Sequence, residues 1–300
     1  MWFIYSLLTA GAWGAANLFY KKGSDSNDRL SHLKIVTMVG LAMGIHAMIY
    51  LIVKDIPFEL FDMIRYLPVS FMYILSMTIG YIGLRYIELS IAAPVQNSSG
   101  AVSAILLFVF FPRAMNAFDI LGIIIVTAGV IGLAIFERQA EMVHQGQVEK
   151  KYQIGVLAIT FPILYSLIDG IGTFLDGIYL DELTLIREDV ALVAYELTFL
   201  LCGIFAYIYI KFIKKESFVI LKERDKGWAA ILETTGQFFY VFAMAGNAII
   251  AAPLIAAHGI FSVILSRIFL KERLTLKQYV MIGAVMFGII LLGISEGLSL

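Results

Sequence analysis

The chain has 300 residues, 60% of them apolar and 15% charged, with a net charge of −1 and one cysteine, Cys202. Soluble domains run at about 45–50% apolar and about 25% charged, so this composition, with a mean hydropathy of +0.88, excludes an ordinary water-soluble enzyme. One cysteine forms no internal disulfide, and the near-neutral charge offers no basic footprint for nucleic acid.

A bilayer core about 30 Å thick is crossed by about 20 helical residues, and ten stretches meet that requirement: 2–20, 33–53, 66–85, 90–111, 118–136, 154–178, 190–211, 228–246, 249–269 and 276–295. The expected fold is therefore an all-α polytopic membrane protein. Span 1 has no basic leader and runs through Trp13 and Asn17 to Lys21 and Lys22 without a small-residue cleavage site, so it is read as a span and not as a signal peptide. Span 2 carries Gly40-x-x-x-Gly44, a helix-packing pattern, and His46 at its middle. Span 3 ends near Tyr81. Span 4 opens with Ile91-Ala92-Ala93-Pro94 and continues through Gln96, Asn97, Ser98, Ser99 and Gly100, a polar run too costly to face lipid. Span 6 holds Tyr165, Asp169 and Asp176, span 7 holds Glu196, span 8 holds Glu233, Gln237 and Tyr240, and span 9 holds His258. The longest polar connections, 21–32, 137–153 and 212–227, leave no room for a soluble catalytic domain, so any function is built between helices.

Of the 22 Lys and Arg residues, only Lys54, Arg65, Arg113 and Arg187 fall in the connections after even-numbered spans; the other 18 fall after odd-numbered ones. By the positive-inside rule the odd connections are cytoplasmic and both termini lie outside.

The sequence also repeats. Ile91-Ala92-Ala93-Pro94 recurs 159 residues later as Ile250-Ala251-Ala252-Pro253, with Gly100 and Ser103 matched by Gly259 and Ser262. A two-residue insertion then brings Gly122 and Gly132 of span 5 onto Gly283 and Gly293 of span 10, and a weaker alignment sets Trp13-Gly14 on Tyr165-Ser166 and Asn17 on Asp169. Residues 1–137 and 154–300 are read as two five-helix units joined by a polar linker, 138–153. Five is odd, so the second unit enters the membrane inverted, an arrangement that places a binding site near the midplane at the repeat interface.

Trp13-Gly14, the two Ile-Ala-Ala-Pro openings and the Lys271-Glu272-Arg273-Leu274-Thr275 loop before glycine-spaced span 10 resemble the EamA-like family of the drug/metabolite transporter superfamily. The resemblance covers essentially the whole chain. It implies a secondary transporter whose cavity is lined by spans 1–4 and 6–9, and it implies cytoplasmic termini, against the charge bias. Substrates across that superfamily range from amino acids to nucleotides, sugars and amines.

Asp169, Asp176, Glu196 and Glu233 lie inside apolar spans with no lysine or arginine deep in any span to pair with them. A charge at the bilayer centre costs at least about 2.5–3.5 kcal/mol, so such acids are retained where they handle ions, protons or substrate. Asp169 is the leading proton-coupling candidate, with Glu233 and Glu196 beside it, while Asp176 is placed at the interface. The substrate-binding candidates are Trp13, Asn17, Tyr81, Gln96, Asn97, Tyr165, Gln237, Tyr240 and His258. His32, His46, His144 and His258 have no ligand-like spacing, so no metal and no cofactor is expected. No catalytic residue is assigned either: the glycines follow Asp169 in Asp169-Gly170-Ile171-Gly172, unlike an intramembrane aspartyl protease. The expected partners are a small-molecule solute, the bilayer, protons or another coupling ion, and a second copy as an open alternative, in the plasma membrane of a prokaryote. Three readings stay open: a carrier of a cationic or amine-bearing solute, a carrier of a neutral or zwitterionic one, and a membrane subunit that transports nothing.

Overall fold

The computed structural model describes residues 1–23, 28, 30–83, 98–145, 155–269 and 274–299, and these are helical almost throughout. In chain order the helices are α1 (Trp2–Gly23), α2 (Ser31–Lys54), α3 (Leu60–Gly83), α4 (Ser99–Phe110), α5 (Ala117–Gln145), α6 (Gly155–Gly177), α7 (Glu188–Ile208), α8 (Arg224–Ala256), α9 (His258–Phe269) and α10 (Leu276–Ser299). Single π-turns extend α6 over Ile178–Glu182 and α7 over Tyr209–Ile213.

Among the described residues six stretches are long and apolar enough to cross a membrane: Ser31–Lys54, Leu60–Gly80, Ile163–Glu182, Glu188–Ile213, Arg224–Phe269 and Leu276–Leu298. Predicted spans 8 and 9 fall together in the 46-residue stretch Arg224–Phe269. That stretch is interrupted twice: Asn247 leaves helical geometry (φ −170°, ψ 84°), and a turn at Ala257 separates α8 from α9. Predicted span 1 is the 22-residue α1, while spans 4 and 5 correspond to the shorter apolar helices Ser99–Phe110 and Ala117–Leu133. The large apolar side chains that remain exposed, such as Ile52, Phe61, Phe205 and Ile290, suit contact with lipid tails.

Neighbours in space are rarely neighbours in sequence. The most extensive packing pairs α1 with α8, α2 with α7, α5 with α10 and α3 with α6, followed by α1 with α9, α2 with α8, α4 with α6, and α3 and α4 with α7 and α8 respectively. Each of these contacts joins a helix of residues 1–145 to a helix of residues 155–299.

Two of the helix contacts resemble each other at a constant sequence offset. A Cβ on Gly14 would meet the His258 carbonyl oxygen at 2.9 Å and Phe261 Cβ at 2.5 Å; one on Gly170 would meet the Ser99 oxygen at 3.1 Å and Val102 Cβ at 2.8 Å. His258 and Phe261 stand 159 residues after Ser99 and Val102, so Gly170 plays against α4 the part that Gly14 plays against α9. This moves the expected alignment by one turn: Trp13 matches Asp169 and Asn17 matches Thr173, in place of Asn17 on Asp169. Span 5 needs correction too. Gly129 packs on Val285 and Gly288 packs on Val126, again at offset 159, and the N-terminal caps agree. Asn116 and Asp119 exchange backbone N–H to side-chain bonds (3.1 and 3.0 Å) at the start of α5, as Thr275 and Gln278 do (2.7 and 3.4 Å) at the start of α10. These contacts and caps follow the offset of 159 without the two-residue shift that pairs Gly122 with Gly283 and Gly132 with Gly293, and an added Cβ on Gly283 would meet nothing within 4 Å.

Candidate functional site

Helices α3 and α6 run antiparallel and carry polar residues at matching helical spacing, so their polar faces zip together. Tyr66 Oη donates to Asp176 Oδ1, Tyr73 Oη donates to Thr173 Oγ1 at 3.1 Å, and Ser76 Oγ donates to Asp169 Oδ1 at 3.0 Å. Asp169, Thr173 and Asp176 share one face of α6 because they are spaced by about one turn each. Asp176, read from the sequence as interfacial, stands one residue before the end of α6 and is completely buried within the protein. The reason is the partner helix: Tyr66 and its neighbours cover the end of α6 that the sequence alone leaves open.

On the opposite side, α1 packs against the first part of α8. Trp13 Nε1 donates to the Glu233 carbonyl oxygen at 3.3 Å, and the indole lies where a Cβ on Gly236 would stand, 2.3 Å from Trp13 Cδ1. Gly236 is therefore required for Trp13 to fit. The indole stacks on Tyr240 with ring centroids 5.2 Å apart and meets the His258 ring edge-on at 6.0 Å. Tyr240 Oη contacts Tyr73 Oη, which ties this aromatic group to the α3–α6 zip. Tyr20 faces the Glu233 carboxylate, and Glu233 lies within electrostatic reach of Asp169.

The break between α8 and α9 frees a backbone carbonyl, and His258 Nδ1 lies 3.2 Å from that of Ile255. Asn17 Nδ2 donates to Ser262 Oγ at 3.2 Å, which fastens α1 to α9. Ser98 and Ser166 hydroxyls are 2.8 Å apart between α4 and α6, while Ser99 and Tyr165 flank the Asp169 carboxylate. Asp169 thus gathers side chains from α3, α4 and α6. Among the described residues neither it nor Asp176 or Glu233 forms an ion pair with lysine or arginine.

Glu196 belongs elsewhere. Its carboxylate is fully buried between α2 and α7, with oxygens 2.9 and 2.8 Å from His46 Nδ1. The His46 ring stacks on Tyr50 and lies perpendicular to Phe238, with centroids 5.6 and 5.8 Å apart.

Of the residues expected to form the site, Trp13, Asp169, Tyr165, Glu233, Tyr240 and His258 converge on this inner region. Gln237 is buried beside them. Asn17 serves a helix contact. Gln96, Asn97 and the side chain of Tyr81 lie outside the described residues, as do both the first Ile-Ala-Ala-Pro motif and Lys271–Arg273 of the loop motif. Sequence reasoning missed Tyr20, Tyr66, Tyr73, Ser76 and Thr173. The signal for two of them was present: Tyr66 and Tyr73 are seven residues apart, the spacing of Asp169 and Asp176, and equal spacing on two helices is what lets their polar faces meet.

Apolar helices that turn acids, hydroxyls and stacked rings inward define an integral membrane protein. The chain belongs to the EamA-like transporter family, whose sequence model matches residues 1–135 and again 156–294. An uncharacterized protein of Methanocaldococcus jannaschii is 31% identical over 143 residues, which is 98% of that protein and 46% of this chain. One solved crystal structure superposes with a TM-score of 0.69 over 98% of this chain and 97% of the other at 13% identity, a likeness of fold.

Proposed function

We propose that the chain is a proton-coupled secondary transporter of a small polar solute, with Asp169 as the coupling acid in a central chamber. Its architecture in this reading is ten membrane-crossing segments in two inverted five-helix repeats, in the plasma membrane of a prokaryote. The twofold recurrence of the Gly14 and Gly170 contacts, the paired capping boxes and the double family match support the repeats. So does a relative whose whole length is spanned by 46% of this chain.

The observation that carries the functional reading is Asp169 itself: an acid deep in an apolar helix, held by Ser76, Ser99 and Tyr165 and within reach of Glu233, with no cation among the described residues to neutralise it. An uncompensated carboxylate in that setting is costly and is satisfied either by a proton or by a positively charged solute. Exchange between the two is the simplest coupling. An amine-bearing solute is favoured by the acids and not by an aromatic cage, because Trp13 and Tyr240 stack on each other and leave no gap for an ammonium between them. The hydroxyls of Ser76, Ser98, Ser99 and Ser166 favour the second reading, a neutral or zwitterionic solute recognised by hydrogen bonds.

Proteoliposome uptake under an imposed pH gradient, with a pool of amino acids, nucleobases and polyamines, tests the proposal. Gradient-dependent uptake that Asp169→Asn abolishes is the expected result. Uptake indifferent to the gradient or unchanged in that variant overturns proton coupling through Asp169, and no uptake of any pool compound counts for a non-transporting subunit.

A further inference from the structure

Asp176 has no part in the reading above, and its surroundings are unusual. It is wholly buried, Tyr66 satisfies Oδ1, and Oδ2 has no hydrogen-bond partner. The titratable groups turned toward it are Tyr66 and Tyr73 from α3 and Tyr240 from α8. Tyr195 of α7 lies edge-on to Tyr73 at 6.0 Å, and Tyr179, just beyond α6, lies edge-on to Tyr66 at 5.9 Å. Helix α4, which also packs on α6, contributes no titratable residue. Asp169 stands two turns back on the same helix. Among the described residues no lysine, arginine or histidine faces the group. Tyr73 Oη reaches both Thr173 Oγ1 and Tyr240 Oη, so hydroxyls continue from the Asp176 enclosure toward the turn that carries Asp169.

We propose that Asp176 is a second proton-binding site, filled and emptied through the Tyr66, Tyr73 and Tyr240 hydroxyls, lying between Asp169 and the membrane face where α6 ends. The inference rests on the transporter reading. In the transfer step the Asp176 acid gives its proton to a tyrosine oxygen, that hydroxyl passes its own proton on, and one proton arrives on the Asp169 carboxylate through Thr173 and chamber solvent. One negative charge moves from Asp169 to Asp176, and no other group changes. Hydroxyls suit this role because each donates and accepts a hydrogen bond at once.

Two measurements test it. Infrared difference spectra of the purified full chain, taken across a pH titration, require no substrate. The wild type is expected to show acid carbonyl bands that vanish on raising the pH; Asp176→Asn removes one, Asp169→Asn removes another, and Tyr66→Phe shifts the Asp176 band without removing it. An Asp176→Asn spectrum identical to wild type overturns the proposal, even if the transport reading has already failed for want of any transported pool compound. In proteoliposomes, Asp176→Asn is expected to lose gradient-driven uptake of the pool compound while keeping solute-for-solute exchange at equal pH. Retained gradient-driven uptake overturns the proposal. Loss of both activities in Asp176→Asn with gradient-driven uptake unchanged in Tyr73→Phe also overturns it, since Asp176 would then act structurally.

Discussion

Glu196 and His46 illustrate how a buried acid is partnered by a side chain from a distant helix. The carboxylate is sealed between α2 and α7 and both oxygens face one imidazole nitrogen, while the ring is fixed by Tyr50 and Phe238. Removing one member of such a pair leaves the other buried and uncompensated, a loss of about 3–5 kcal/mol in fully buried cases. His46 retains 31% of its side-chain exposure, which lowers the figure. We expect His46→Ala to destabilise the protein by about 2–3 kcal/mol, and the double variant His46→Leu/Glu196→Leu to recover a substantial part of it. Thermal unfolding in detergent measures both, and a double variant as unstable as the single one argues that the pair is not the cause. That four acids lie inside apolar segments with no deep cation beside them was legible in the sequence. Their partition was not: Asp176 and Glu196 owe their burial to Tyr66 and His46, which arrive from helices 110 and 150 residues away.

At the scale of helices, close approach is decided by which glycines face a partner. Gly40 of α2 does so: a Cβ there would meet the Phe199 carbonyl oxygen at 2.6 Å and Gly203 Cα at 3.0 Å, so the two backbones touch. Gly283 of α10 does not, since nothing lies within 4 Å of its added Cβ. Gly40→Val is therefore expected to force α2 and α7 apart and to cost about 1–3 kcal/mol, the order seen for overpacked cores. Gly283→Ala is expected to be neutral or to gain up to about 1 kcal/mol from helix propensity. Comparative unfolding temperatures check the contrast, and equal sensitivity at the two positions would refute it. The Gly40-x-x-x-Gly44 pattern gave the first of these surfaces directly. Matching the glycines of spans 5 and 10 by letter ignores which face they occupy. The offset of 159 set by the Ile-Ala-Ala-Pro pair aligns Val126 with Val285 and Gly129 with Gly288, the residues that pack on one another between α5 and α10.

The whole molecule is intertwined. Sequence repetition divides the chain at a polar linker, which suggests two units, but the principal packing runs between the halves: α1 on α8 and α9, α2 on α7, α3 and α4 on α6, α5 on α10. A half on its own would present Ser76 and Tyr73, or Asp169 and Asp176, to lipid, where unsatisfied polar groups cost several kcal/mol each. The two halves of the chain therefore cover one another's polar faces. We expect residues 1–145 and 155–300, expressed separately, to be degraded or aggregated, and to yield a stable complex with the unfolding temperature of the intact chain when co-expressed. A half that is monodisperse and monomeric in detergent would disprove this. A half that persists only as a pair of identical copies would agree with it, because the second copy supplies the antiparallel partner surface that the missing half provides in the native chain. The relative matched over 98% of its own length by 143 residues has the size of one such unit, so chain length alone does not dictate whether the partner surface is covalently attached. Covalent linkage instead permits the halves to diverge. By the Gly14 and Gly170 contacts Trp13 corresponds to Asp169 and Tyr20 to Asp176, so rings stand at two positions of one half where the other half has acids, a difference that two identical subunits cannot hold.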